Sequence, residues 1–133
     1  MSSPVIIGIG TDMTEIDRVE KILNGKAARP FLKRILTDAE LTFLEERGGK
    51  HAEFVAGRFA AKEAVAKAFG TGIGSKIGFR DIEVIADLAG RPVCTVNLPA
   101  LQRLGFVPGS IQVHVSVTHT RITAGAFAVV ELH

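Results

Sequence analysis

The stretch Phe59-Ala60-Ala61-Lys62-Glu63-Ala64-Val65-Ala66-Lys67-Ala68, near the middle of the chain, decides the fold. Alanine is the strongest helix former, so this run predicts a helix, which we extend over His51 to Phe69. Small side chains also let a neighbouring element approach the helix axis closely. Gly70 follows, at the position of a glycine that ends a helix.

The composition around this helix is that of a globular protein. Of the 133 residues, 47% are hydrophobic and 23% are charged, which excludes a disordered chain. We expect a single domain over residues 1–133. A net charge of +2 does not mark a nucleic-acid binder. The apolar stretches are shorter than the roughly 20 residues that a membrane-spanning helix needs, so we expect no membrane partner.

The cysteine content and the first residues point to a cellular compartment. Cys94 is the only cysteine, so no disulfide can form within the chain, as suits a reducing environment. Met1 to Pro4 lack the basic region, followed by a long apolar one, that marks a secretory signal. We therefore expect a cytoplasmic protein.

Before the central helix, the sequence predicts one strand and two helices. Val5 to Ile9 is a contiguous apolar run typical of a short buried strand. Glu15 to Leu23 carries apolar residues at helical spacing. Thr37 and Glu40 have the spacing of a capping box, which predicts a helix over Asp38 to Arg47.

After the central helix, strands predominate. Residues 111–117 alternate between apolar and polar side chains, as in a strand with one buried face. The other predicted elements are strands at 82–85, 93–96 and 122–130 and a short helix at 99–104. Helices followed by clustered strands predict an α+β fold, with an antiparallel sheet packed against helices.

Two carboxylates are candidates for chemistry. Asp12 leaves the first strand, where a carboxylate could bind a metal from a rigid element or could simply cap the next helix. Glu63 and Lys67 are four residues apart and share a helix face, which also fits a solvent-exposed salt bridge. Arg58 and Lys62 add positive charge nearby. Carboxylates beside such cations suit a magnesium-bound phosphate group.

Three further features have both a functional and a purely structural interpretation. Gly70 to Lys76 is rich in glycine but follows a helix, so it matches neither the dinucleotide nor the phosphate-loop motif and could be a connector. His119 could bind phosphate when protonated, or be structural. The largest charge bias lies in Arg18, Lys21, Lys26, Arg29, Lys33 and Arg34. It fits an acidic protein surface, nucleic acid or a solvated helix face.

Four blocks of the sequence, in order, resemble the holo-acyl-carrier-protein synthase family. They are Ile7–Asp12 with Glu15–Arg18, Phe59–Ala68, Gly70–Gly74 and Val115–Thr120. The resemblance implies the 4′-phosphopantetheinyl transferase fold and a magnesium-dependent enzyme. Such an enzyme transfers 4′-phosphopantetheine from coenzyme A to a serine of an apo acyl-carrier protein and releases adenosine 3′,5′-bisphosphate. The resemblance also implies a homotrimer with sites between subunits.

The same resemblance implies roles for individual residues. Asp12 and Glu63 would bind magnesium, with Lys67 stabilising phosphate charge. The donor would meet Arg58, Lys67, Gly70, Gly72, Ser75, His119 and Thr120, with Arg58 and His119 on the 3′-phosphate. Arg18, Lys26, Arg29 and Lys33 would face the acidic carrier protein. A non-catalytic basic module that binds nucleic acid or an acidic protein is the alternative, and it leaves Asp12, Glu63 and Lys67 unexplained.

Overall fold

A computed structural model describes residues 3–133 as one three-stranded sheet and one strand pair, packed with helices. The strands are β1 (Val5–Glu15), β2 (Ile82–Ala86), β3 (Pro92–Val96), β4 (Ile111–His119) and β5 (Thr123–Leu132). The helices are α1 (Ile16–Leu23), α2 (Ala28–Ile35), α3 (Asp38–Arg47), α4 (His51–Ala68) and α5 (Leu98–Arg103). All pairings are antiparallel, in the orders β1-β5-β4 and β2-β3, so the predicted α+β class is confirmed.

The central helix lies directly on the larger sheet. A Cβ atom at Gly8 would lie 1.7 Å from the carbonyl oxygen of Ala68, and one at Gly10 would lie 1.9 Å from that of Ala64. Glycine on the strand and alanine on the helix therefore allow a contact between backbones. No larger residue fits either strand position without displacing α4.

Buried apolar side chains surround α4 on two sides. Those between α4, β5 and the β2–β3 pair include Ala61, Ala64, Val65, Ile82, Val84, Ala126, Ala128 and Val130. Those between α4 and the first three helices include Ile16, Val19, Ile35, Leu36, Leu44, Val55 and Ala56. Because both clusters share α4, this helix is the element around which the two parts of the core are built. No helix within residues 3–133 is long and apolar enough to cross a membrane.

Two opposite charges are completely buried beside α4. The Nζ atom of Lys62 lies 2.5 Å from Oε1 of Glu40 and donates to the carbonyl oxygen of Ile35 at 2.7 Å. Burial lowers the pKa of Lys62, and the Glu40 carboxylate opposes that shift. Lys62 is therefore not available to a phosphate ligand, which corrects the expectation from its position beside Glu63.

The predicted helices agree closely with the structure, whereas the first strand does not. The helix at Asp38–Arg47 has the predicted bounds and the predicted capping box. The strand predicted at Val5–Ile9 continues to Glu15, and it is not buried: Ile9 is 62% exposed. Glycines occupy the face of β1 that meets α4, so its large side chains lie on the opposite face.

The α2 helix was not predicted. Its N-cap residue, Ala27, makes no side-chain capping bond, so the usual signal for a helix start is absent. Pro30 lies in the first turn, where it is tolerated but reads as a helix breaker in the sequence. The basic stretch therefore forms a helix of its own.

We expect Gly10→Ala to lower the free energy of unfolding by roughly 1–3 kcal/mol or more, because the new methyl group overpacks against α4. Gly74→Ala is the control, since a Cβ there meets nothing within 4 Å. Urea unfolding of the two variants and the wild type measures the difference. Equal stability of both variants would contradict the backbone contact described above.

Candidate active site

Asp12 lies within β1 and points toward α4. Its Oδ1 accepts a hydrogen bond from Lys67 Nζ at 3.0 Å, and its Oδ2 accepts one from Thr14 Oγ1 at 3.4 Å. The N-cap of α1 is Glu15, which makes no side-chain capping bond. Asp12 therefore does not cap the next helix, and the interpretation as a site residue remains.

Lys67 reaches across to β1 instead of bonding along its own helix. Besides Asp12, its Nζ donates to the carbonyl oxygen of Thr11 at 3.1 Å. The salt bridge between Glu63 and Lys67 that their spacing suggests is absent, and Glu63 makes no ion pair within residues 3–133. Burial and then the Asp12 charge raise the pKa of Glu63, whereas Lys67 acts in the opposite direction.

Asp12 and Glu63 line one open cleft of about 350 Å³. Its remaining walls include the charged residues Glu15 and Arg18 and the apolar residues Ile22, Phe31 and Phe59. The Phe31 and Phe59 rings stack at 6.3 Å between centroids. The cleft therefore suits a ligand with both charged and apolar parts. Sequence reasoning missed both phenylalanines as site residues, because aromatic residues at helical spacing are also typical of a core.

The donor set of the cleft fits magnesium. Asp12 and Glu63 supply two carboxylates, and the part of the chain from residue 3 onward contains no cluster of three or more histidine, cysteine or acidic side chains. Magnesium is commonly bound by one or two carboxylates, with water and substrate phosphates completing its coordination. A cation between these carboxylates would also relieve the repulsion that raises the pKa of Glu63.

Arg58 and His119 do not line this cleft. The Nε atom of Arg58 donates to the carbonyl oxygen of Val84 at 3.0 Å, and its guanidinium lies 4.4 Å from the Phe54 ring centroid. Burial lowers the pKa of Arg58. His119 ends β4, with its Nδ1 3.1 Å from the carbonyl oxygen of Thr120. Because a carbonyl only accepts, that nitrogen carries the proton.

The glycine loop and Thr120 also lie outside the cleft. Gly70 and Gly72 have φ values of 87° and 68°, a conformation that favours glycine. Ser75 is exposed. Thr120 Oγ1 accepts hydrogen bonds from the backbone nitrogens of Ile122 and Thr123, at 3.2 and 3.0 Å, and so closes the turn between β4 and β5.

The predicted partner-facing cations are all exposed, at Arg18, Lys26, Arg29 and Lys33. None of them forms an ion pair with a carboxylate among the residues described. Arg18 belongs both to this surface and to the cleft. Arg29, Lys33 and Arg34 give α2 three positive charges and no negative one.

Known proteins resemble this chain over nearly its full length. A sequence model of the 4′-phosphopantetheinyl transferase superfamily matches residues 8–123. A holo-[acyl-carrier-protein] synthase of Bacillus cytotoxicus is 44% identical over 96% of this chain and 97% of its own.

Solved structures show the same likeness. The holo-(acyl-carrier-protein) synthase of Bacillus anthracis, in complex with CoA (3′,5′-ADP), is 40% identical with a TM-score of 0.80, covering 96% of this chain and 98% of its own. The holo-[acyl-carrier-protein] synthase of Neisseria meningitidis is 36% identical with a TM-score of 0.82, covering 95% and 98%.

We expect Glu63→Gln to raise the unfolding temperature at neutral pH, in buffer with a chelator. A raised pKa means that folded protein binds the Glu63 proton more tightly than unfolded protein does. The contribution of Glu63 to stability is therefore lost as the pH rises from 4.5, the usual pKa of a glutamate side chain, through the raised pKa that Glu63 has in the folded protein. The increase in unfolding temperature of Glu63→Gln over the wild type should vanish below pH 4.5, where Glu63 is protonated in both the folded and the unfolded protein. Thermal melts across this range measure it, with Glu46→Gln, an exposed change on α3, correcting for lost charge. The same pH dependence in both variants would contradict the prediction.

Proposed function

The chain belongs to the holo-[acyl-carrier-protein] synthase family of 4′-phosphopantetheinyl transferases, and from this we propose that it transfers 4′-phosphopantetheine from coenzyme A to a serine of apo acyl-carrier protein. The observation that carries the proposal is the Lys67–Asp12 contact at 3.0 Å beside Glu63. This contact places a cation from α4 against a carboxylate of the cleft, and such fixed charges can stabilise the charge that develops during phosphoryl transfer.

The proposed reaction is a displacement at the β-phosphorus of coenzyme A. The serine oxygen forms a bond to that phosphorus, and the bond to the bridging oxygen breaks. Adenosine 3′,5′-bisphosphate leaves with that oxygen. The serine proton passes to a base, for which Glu63 or a water molecule in the cleft are the two candidates. Glu63 is a candidate because burial and the Asp12 charge raise its pKa, which favours uptake of a proton.

We assign magnesium to Asp12 and Glu63. Bound there, the ion would neutralise charge on the transferred and leaving phosphates. Lys67 is half-exposed and fixed by its contacts with Thr11 and Asp12, so its ammonium group can bind a phosphate oxygen beside Asp12. A lysine is a common partner for such an oxygen.

We further assign the 3′-phosphate of the donor to Arg58 and His119. Gly70, Gly72, Ser75 and Thr120 would surround the rest of the donor. Because these residues lie outside the cleft of their own chain, the assignment favours a site shared between two copies. Arg58 retains guanidinium N–H groups beyond the Nε that bonds Val84, and His119 is exposed.

The outer face of the larger sheet supports contact between copies of the chain, and the family resemblance gives their number as three. Ile9, Met13 and Phe127 all lie on the face away from α4 and are 62, 74 and 58% exposed. Exposed apolar residues that share one sheet face are typical of a surface between subunits. We propose that three copies bury this face against one another.

The carrier protein is assigned to the basic residues of α1, α2 and the turn between them. They are Arg18, Lys26, Arg29 and Lys33, which are exposed and free of ion pairs among residues 3–133. An acidic partner helix would be steered to this surface. Arg18 also lines the cleft, so a partner bound here could present its serine to Glu63.

We propose that residues 1–133 form one transferase domain, since both buried clusters share α4. A cytoplasmic location is consistent with the buried free thiol of Cys94. The competing function is non-catalytic binding of nucleic acid or an acidic protein by a basic module. The positive charge of α2 is the one observation that favours it.

Incubation of an apo acyl-carrier protein with this protein, coenzyme A and magnesium should add the mass of one phosphopantetheine arm. Asp12→Asn and Glu63→Gln should each slow the transfer by about 100-fold or more, and a chelator should stop it. Intact-mass spectrometry over time measures the rate. Glu53→Gln, on the same helix, is the control and should transfer normally. Full activity in excess chelator would exclude the metal assignment.

Reversing charge on α2 should weaken use of the carrier protein alone. Arg29→Glu and Lys33→Glu should each raise KM for the carrier protein by roughly 3- to 10-fold at low salt, with KM for coenzyme A unchanged. Added salt should shrink the difference, because it screens exposed charges. Arg91→Glu, an exposed change in the turn after β2, is the matched control. Salt-sensitive DNA binding by the wild type, without transfer, would favour the non-catalytic module.

A further inference from the structure

The buried Lys62 side chain connects α4 to the helix that carries the basic residues. Lys62 directly precedes Glu63, but its side chain leaves α4 on a different flank. Its Nζ donates to the carbonyl oxygen of Ile35, the last residue of α2, at 2.7 Å. That oxygen lies at a helix end, where carbonyls have no partner within the helix and a cation is favourable.

Glu40 holds this ammonium group in place. Its Oε1 accepts from Lys62 Nζ at 2.5 Å and from the backbone nitrogen of Thr37 at 2.8 Å. Its Oε2 accepts from the backbone nitrogen of Val84 at 2.7 Å. The Lys62 and Glu40 side chains are both 0% exposed. One carboxylate therefore ties the start of α3, strand β2 and the middle of α4 to the end of α2.

The α2 helix also forms part of the cleft. Phe31, from its first half, lines the cleft and stacks on Phe59 of α4, which stacks in turn on Phe79. The middle of α2 is thus located by aromatic contacts and its end by Lys62. A shift at that end would move the basic surface relative to Glu63.

We propose that Lys62 is a positioning residue that sets α2, and hence a bound carrier protein, relative to Glu63. The inference rests on the proposed function. Lys62 contacts no substrate, and its effect passes through the carbonyl of Ile35. Losing it should impair use of the carrier protein and leave coenzyme A binding nearly intact, because Arg58 donates to the carbonyl oxygen of Val84, whereas Glu40 accepts only from the Val84 backbone nitrogen.

The test compares the wild type with Lys62→Met/Glu40→Gln, which removes both charges together and so avoids an unpaired buried carboxylate. Lys62→Met alone leaves the Glu40 carboxylate buried without its partner, and its loss of stability measures the cost of that state. Val130→Ala is the control for lost stability, since Val130 is buried in β5, away from α2. Thermal unfolding, coenzyme A titration, transfer kinetics and hydrogen exchange of the α2 amides are measured for each.

The double variant should lose about 10-fold or more in kcat/KM for the carrier protein, while its Kd for coenzyme A stays within about twofold of the wild type. Its α2 amides should exchange faster than those of Val130→Ala. A folded double variant with wild-type kcat/KM, or one that loses carrier use and coenzyme A binding in parallel, would overturn the inference.

Absence of transfer by the wild type would overturn the proposed function instead. Hydrogen exchange, which needs no substrate, would then still decide whether Lys62 holds α2.

Discussion

The contact between the backbones of β1 and α4 is the constraint on which the site depends. Gly8 and Gly10 leave no side chain on the face of β1 that meets Ala64 and Ala68, so helix and strand lie closer than larger residues would allow. Asp12 is two residues after Gly10 and lies on the same face of β1. Its carboxylate contacts the ammonium group of Lys67, which is 55 residues away in the chain. A charge on a strand and one on a helix become neighbours because the residues before them are small.

Local signals in the sequence were sufficient for the helices that carry them. The Thr37 and Glu40 capping box fixes the start of α3 whatever surrounds it, and the alanines of α4 leave little choice of structure. The β1 strand was misjudged because its glycines conceal which face is covered. The α2 helix was missed because its stability comes from packing at Phe31 and Ile35 and not from a cap.

The candidate site was predictable in its residue types and not in its pairings. Lys62 and Lys67 are both lysines near Glu63 in a single helix, yet Lys62 is wholly buried against Glu40 and Lys67 is half-exposed against Asp12. They are five residues apart and so leave α4 on different flanks. The positions of α2 and α3, which depend on contacts distant in sequence, decide which flank is buried. Spacing along α4 favours a bond from Glu63 to Lys67, whereas the fold offers Lys67 a partner on β1. Phe31 joins the cleft for the same reason, since no local pattern brings α2 against Phe59.

The buried ion pair also gives the end of α2 a temperature response of its own. Hydration of a charged group becomes less favourable on warming, so the cost of keeping Lys62 and Glu40 away from water falls as the temperature rises. Apolar burial gains no comparable advantage per unit of area. The attachment of Ile35 to Lys62 should therefore become relatively more favourable on warming than the apolar contacts of Phe31. The last turn of α2, where Ile35 meets Lys62, is thus the part of the basic helix whose attachment benefits most from a rise in temperature.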